Sequence, residues 1–169
     1  MTILFYLASA IALLAAGLAI TRKDAFHALL YLVVSLLAVA VIFFSLAAAF
    51  AAALEVIVYA GAIMVLFVFA VMMLNLGKQG VEKEAAFLKP TIWIGPGALA
   101  VALLLELVVV LVRGSEPVAT GVGVTPKEVA LSLFGPYVIG VELASFLLLA
   151  GLVGAFHLGS GARSTGGDP

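Results

Sequence analysis

The chain has 169 residues, of which 66% are hydrophobic and 10% charged, with a formal net charge of -1. That balance excludes an ordinary soluble domain and places the sequence among polytopic membrane proteins. No basic cluster points to nucleic acid or a phosphate ligand, and the absence of cysteine excludes disulfides and thiolate-held zinc or iron–sulfur centres. His27 and His157 are too isolated to suggest a haem or metal site. The first segment is apolar from Ile3, and its first positive charge is Arg22. A cleaved signal peptide carries its basic residues first, so this segment reads as a retained span.

A bilayer core of about 30 Å takes roughly 20 apolar residues in helical form. Residues 2–21, 27–49, 52–76, 91–112 and 137–158 each meet that requirement. Backbone polar groups in hydrocarbon must pair within the segment, which makes these helices rather than strands. The expectation is an all-α membrane protein, with one five-helix transmembrane domain over 1–158 and a flexible cytoplasmic tail over 159–169.

The connections differ in kind. Thr21-Arg22-Lys23-Asp24 is a charged turn, and an alanine-rich corner near Ala47–Ala53 predicts a tight antiparallel hairpin. Gly77 to Pro90 is a polar loop with Gly77 as a helix C-cap, and Arg113 to Pro136 is the longest connection. Within it, Thr125-Pro126-Lys127-Glu128 has the form of a capping box with proline at the first helical position. A short amphipathic helix through Val129, Ala130, Leu133 and Phe134 should follow, lying on the membrane surface or on a partner. Gly135-Pro136 should stop it. Arg22, Lys23, Lys78, Lys83, Lys89 and Arg163 fall on one side of this plan, and only Arg113 and Lys127 on the other. Positive residues favour the inside, which predicts an outer N-terminus and a cytoplasmic C-terminus. Trp93 and Tyr137 then sit at the inner and outer interfaces.

Three carboxylates fall within the spans: Glu55, Glu106 and Glu142. Each costs roughly 2.5–3.5 kcal/mol at a helix centre and less near an end. Glu55 reads either as a residue reaching for the outer surface or as a polar station in a hydrated path, with Tyr59 one turn along the same face. Glu106 and Glu142 read as buried carboxylates, satisfied by a neighbouring helix or carrying a proton. No basic residue lies inside any span, which argues against a self-contained proton pump. Gly61, between Ala60 and Ala62, permits close helix packing. Beside Tyr59 it also weakens the hydrogen-bond ladder, so a π-bulge there would rotate everything downstream. Met64, Phe67, Phe69, Met72 and Met73 offer soft packing that accommodates such a rotation.

The string Glu55-Val-Ile-Val-Tyr59-Ala-Gly61-Ala-Ile-Met-Val65-Leu-Phe67-Val-Phe-Ala-Val-Met72-Met-Leu-Asn75-Leu closely resembles the signature helix of one family. That family is the J-type membrane subunit of respiratory complex I, the proton-pumping NADH–quinone oxidoreductase, whose mitochondrial relative is the sixth mitochondrially encoded core subunit. The stretch from Leu133-Phe134-Gly-Pro-Tyr137 through Glu142-Leu-Ala-Ser145 to Gly154 is similar to its last helix. This chain departs from the usual pattern at Ile139-Gly140-Val141, before Glu142, and at Asp24-Ala25-Phe26.

The resemblance implies a non-redox membrane subunit that helps couple quinone reduction to proton translocation, with no catalytic centre and no bound cofactor of its own. NADH, FMN, iron–sulfur clusters and quinone would belong to other subunits. The implied neighbours are the K-type subunit, which supplies buried glutamates, and the H-type subunit at the quinone site, in the cell inner (cytoplasmic) membrane. The third helix would carry a π-bulge shaped by Tyr59 and Gly61. Val65, Phe67 and Met72 would form an apolar gate, and Glu55 an outer polar contact. A purely structural subunit and a subunit of a related cation/proton antiporter remain the competing readings.

Overall fold

In the computed structural model, which describes residues 2–74, 90–113 and 124–161, every regular element among the described residues is helical. α1 spans Thr2–Thr21 and α2 spans Ala25–Ser45. α3 is continuous but built of three stretches, Ala49–Leu54, Glu55–Ile63 and Met64–Leu74. α4 is Pro90–Arg113, α5 Pro126–Leu133 and α6 Val138–Gly161. The all-α, polytopic expectation is met. α1, α2, α3 and α6 are long and apolar enough to cross a bilayer, and α4 holds a shorter apolar stretch over Trp93–Val109. The Gly77 cap, the loop charges Lys78, Lys83 and Lys89, and tail residues 162–169 with Arg163 lie outside the described residues. The chain divides into two compact units, Met1–Val124 and Thr125–Pro169.

The first unit is organised by α1 packed on α2. Ala8, Ile11, Ala12 and Ala15 form one stripe of α1, at the spacing that keeps residues on one helical face. They meet Val34, Ala38 and Val41 of α2 and Leu103 of α4. The alanines let the two backbones approach closely. Ser35 Oγ donates to the Ala12 carbonyl at 3.0 Å and ties the helices together, worth about 0.6 kcal/mol for such bonds between membrane helices.

Asp24 caps α2 by accepting from the His27 amide at 2.9 Å. At that end Arg22 donates to the Tyr31 hydroxyl at 3.3 Å and lies 5.1 Å from its ring centroid. His27 stacks on the same ring at 5.7 Å. Tyr31 is buried, and its hydroxyl lies where a Cβ on Gly95 of α4 would have to go. Glycine at 95 is therefore what lets α4 sit against this tyrosine.

The α2–α3 corner is tighter and earlier than its sequence suggests. It consists of Leu46, Ala47 and Ala48, whose amides return to the carbonyls of Ile42, Phe43 and Phe44. Ala49 to Ala53, expected in the corner, instead join α3. Alanine is the best helix former, so nothing holds those residues out of the helix. The reversal falls on Ala47, at a left-handed φ of 60° without being glycine. That conformation costs an L-residue roughly 1–2 kcal/mol. Ala47→Gly is therefore expected to stabilise the hairpin by up to about 1 kcal/mol once the entropy of glycine is set against it. A higher midpoint for SDS unfolding of the chain in micelles would register the gain.

In the second unit, the expected capping box is present. The Glu128 amide donates to Thr125 Oγ1 at 3.3 Å, and the Thr125 amide donates to Glu128 Oε2 at 2.7 Å, with Pro126 opening α5. α5 ends where the Phe134 amide reaches the Ala130 carbonyl, and Gly135 follows. A Cβ on Gly135 would come within 2.6 Å of the Leu131 carbonyl, so only glycine fits this bend.

The Thr125 main-chain amide, and secondarily its hydroxyl, hold the Glu128 carboxyl below its ordinary value of 4.5. A group whose folded value is depressed adds stability above its unfolded value and loses it as pH falls through the folded one. Protection of the first-turn amides of α5, measured against their intrinsic exchange rates, should accordingly be full at neutral pH and fall as acid protonates the Glu128 carboxylate, below the ordinary carboxylate range. Glu128→Gln should remove that pH dependence.

Candidate functional site

The chemistry-bearing residues of the third span sit in an unusual backbone. Its first stretch is ordinary α-helix, with the Glu55 amide bonded to the carbonyls of Ala51 and Ala52. From Glu55 to Ile63 the helix widens to a nine-residue π form, then returns to α at Met64. The Met64 amide still reaches five residues back to the Tyr59 carbonyl, the spacing that defines a π turn.

The local sequence explains why the ladder yields here. Val56, Ile57, Val58 and Ile63 are β-branched and stiff, and Gly61 adds the weakest helix former short of proline. A Cβ on Gly61 would lie 3.1 Å from the Val56 carbonyl, five residues upstream. The wide turn therefore closes over the position that has no side chain.

This geometry redistributes the faces of α3. Glu55 is 8% exposed and Met64 is 3% exposed, and the stretches that hold them both pack on α2. They are nine positions apart, about two and a half turns of regular helix, which would put them on opposite sides. The π turns bring them to the same side. Tyr59, expected to share a face with Glu55, is instead 51% exposed. The shared face holds for a regular helix, and the wide turns remove it. Ala60 and Gly61 are half-buried, while Val65, Phe67 and Met72 are exposed on this unit. Beside the start of the π stretch runs an apolar groove of about 470 Å³ between α2, α3 and α4, with Phe44, Ala52, Val56 and Leu103 in its walls.

The other two carboxylates behave differently from each other. Glu106 on α4 is 4% exposed, and neither of its oxygens has a hydrogen-bond partner among the described residues. Glu142, expected to be buried, is exposed on α6. The reason is that α6 buries none of its apolar window inside its own unit. Among the described residues no group of three His, Asp or Glu side chains is placed to hold a metal ion. The Arg22–Tyr31–Gly95 arrangement had one sequence signal: the Gly95-Pro96-Gly97 triplet, out of place in a spanning helix.

A polytopic helical membrane protein whose third span is a π–α composite around a buried carboxylate is the class that fold and site together define. The family model for NADH-ubiquinone/plastoquinone oxidoreductase chain 6 matches residues 4–158. The chain is 60% identical over 158 residues to NADH-quinone oxidoreductase subunit J of Pseudomonas aeruginosa, covering 92% of this chain and 94% of that protein. It is 54% identical to the subunit J of Escherichia coli K12, over 95% of this chain and 87% of the relative. The corresponding protein of Buchnera aphidicola from Acyrthosiphon pisum is 46% identical, over 95% of this chain and 94% of its own length. The chain belongs to this family, the J-type membrane subunits of complex I.

Proposed function

We propose that the chain works in the membrane arm of a proton-translocating NADH–quinone oxidoreductase, where its third helix gates a hydrated path by exchanging π for α turns. The observation that carries this reading is the coincidence of the π stretch with Glu55, Tyr59 and Gly61. Were Glu55–Ile63 to tighten into regular helix with Glu55 held on α2, the positions following it on that face would be Tyr59, Ala62 and Leu66. Met64 would leave the face, and the downstream half would swing by up to about half a turn. Val65, Phe67 and Met72 travel with that half as an apolar constriction, and such constrictions gate by wetting and drying. Glu55 stays with α2 as the polar contact at one end of the path.

In this reading the chain binds no cofactor and has no catalytic centre. NADH, FMN, the iron–sulfur clusters and quinone belong to partner subunits, which the absence of cysteine here supports. The path continues into the K-type subunit and, toward the quinone, the H-type subunit. The N-terminus lies outside and the C-terminus in the cytoplasm, as the basic residues of the sequence favour.

The test is a pair of substitutions in the assembled enzyme. Tyr59→Phe and Val65→Gly should each slow proton-coupled quinone reduction about tenfold while native gels show normal assembly, because tenfold corresponds to only 1.4 kcal/mol of bias between two helix forms. Loss of assembly, or unchanged turnover, would favour a purely structural role. Co-purification of an antiporter set, without a flavoprotein and iron–sulfur arm, would move the chain to another machine.

A further inference from the structure

Glu106 lies outside the third-helix gate, and the proposed function makes no use of it. It shares a face of α4 with Leu99 and Leu103, at steps of four and three residues. Leu103 belongs to the core with Ala8, Ile11, Ala12 and Ala15 of α1 and Val34, Ala38 and Val41 of α2, and Leu99 packs on that core. Glu106 follows one turn later, 4% exposed, with both carboxyl oxygens buried and unpartnered among the described residues.

Apart from the main chain at Ala8 of α1, which borders the carboxyl without a full hydrogen bond to it, no charged or free polar side chain among the described residues of the packed helices is placed to offset a negative charge there. On α1, Ser9 Oγ is committed to the Phe5 carbonyl at 2.6 Å and Tyr6 is exposed. On α2, Ser35 is committed to Ala12 and Ser45 to Ile42. Arg22, Lys23, Asp24, His27 and Tyr31 gather at the end of α2 that meets Gly95. Gly95 lies eleven residues before Glu106, about 16 Å along α4. On α3 the ionisable groups are Glu55, itself an acid, and the exposed Tyr59.

A carboxylate sealed in such surroundings would be an uncompensated charge away from water, the costliest arrangement a membrane interior offers. The neutral acid avoids this. It carries one O–H donor, and the main-chain carbonyls of a helix keep a second lone pair able to receive it. We propose that Glu106 is a proton-binding site, holding its proton as the neutral carboxylic acid and closed off where α4 packs against α1 and α2. The site is separate from the third-helix path and does not depend on the π stretch. Its proton reaches solvent only when α4 and α1 part, so exchange at Glu106 reports on the opening of that contact.

Infrared spectra of the assembled complex in lipid vesicles test this with Glu106→Gln and Glu106→Leu. Subtracting either variant from wild type should leave one carboxylic-acid carbonyl band that moves to lower frequency in D₂O. The band should persist when the bulk is raised to about pH 9, far above the range in which a free glutamate ionises. Absence of a carboxylic-acid band from the difference, or a carboxylate band in its place, would overturn the proposal. Should the leucine variant fail to assemble, the isosteric glutamine variant decides by the same readout.

Discussion

Replacing Gly61 with alanine is expected to slow coupled quinone reduction about tenfold while leaving the complex assembled. Two effects act in the same direction. Alanine favours regular helix over glycine by about 1 kcal/mol. Its Cβ would also press on the Val56 carbonyl at 3.1 Å, a backbone atom that moves only if the wide turn does. Together they bias the stretch toward the tight form and hold it there. The measurement is NADH-driven quinone reduction alongside proton uptake in vesicles, normalised to assembled complex. Gly97→Ala is the control, because a Cβ on this helical glycine meets nothing within 4 Å. If Gly61→Ala behaves like Gly97→Ala, the π stretch is not a moving part.

The second large effect is expected at Gly95. A side chain there runs into the Tyr31 hydroxyl, with the ring carbon that bears it 3.0 Å away. Tyr31 has little freedom to retreat, because it is buried and Arg22 and His27 pack against its hydroxyl and ring. Gly95→Ala should thus destabilise the docking of α4 on α2 by about 1–3 kcal/mol, the usual range for overpacking. A lower yield of assembled complex and an earlier SDS unfolding midpoint would report it. Adding Tyr31→Phe removes the colliding oxygen but leaves the ring, so it should restore part of the loss. No restoration would mean that glycine at 95 serves some purpose other than making room for this tyrosine.

The spans were legible because the bilayer imposes a length and a composition that few soluble sequences meet. Thr125 to Glu128 was legible for a similar reason, since a cap is a local pattern with local consequences. The location of the irregular turn could be read from Glu55, Tyr59 and Gly61. Its extent and its effect on facing could not. A stretch such as Met64-Val65-Leu66-Phe67 is apolar on every side, so nothing in its periodicity marks which residue meets α2. Burial of Glu106 followed the cost of exposing a carboxylate to lipid. The placement of Glu142 did not, because α6 finds no cover within its own unit. The contact of Tyr31 with Gly95 joins positions far apart in the chain, and only the packing of α4 on α2 reveals it.

The three-residue corner at Ala47 has a mechanical implication. Leu46, Ala47 and Ala48 are each bonded back to the end of α2, leaving no slack between the two spans. One end of α3 is thus clamped to its neighbour like a shaft in a chuck. Under the proposed exchange of π for α turns, torque arising in Glu55–Ile63 would not be relieved on that side and would be delivered to Met64–Leu74, the half that carries the bulky aromatic and methionine side chains.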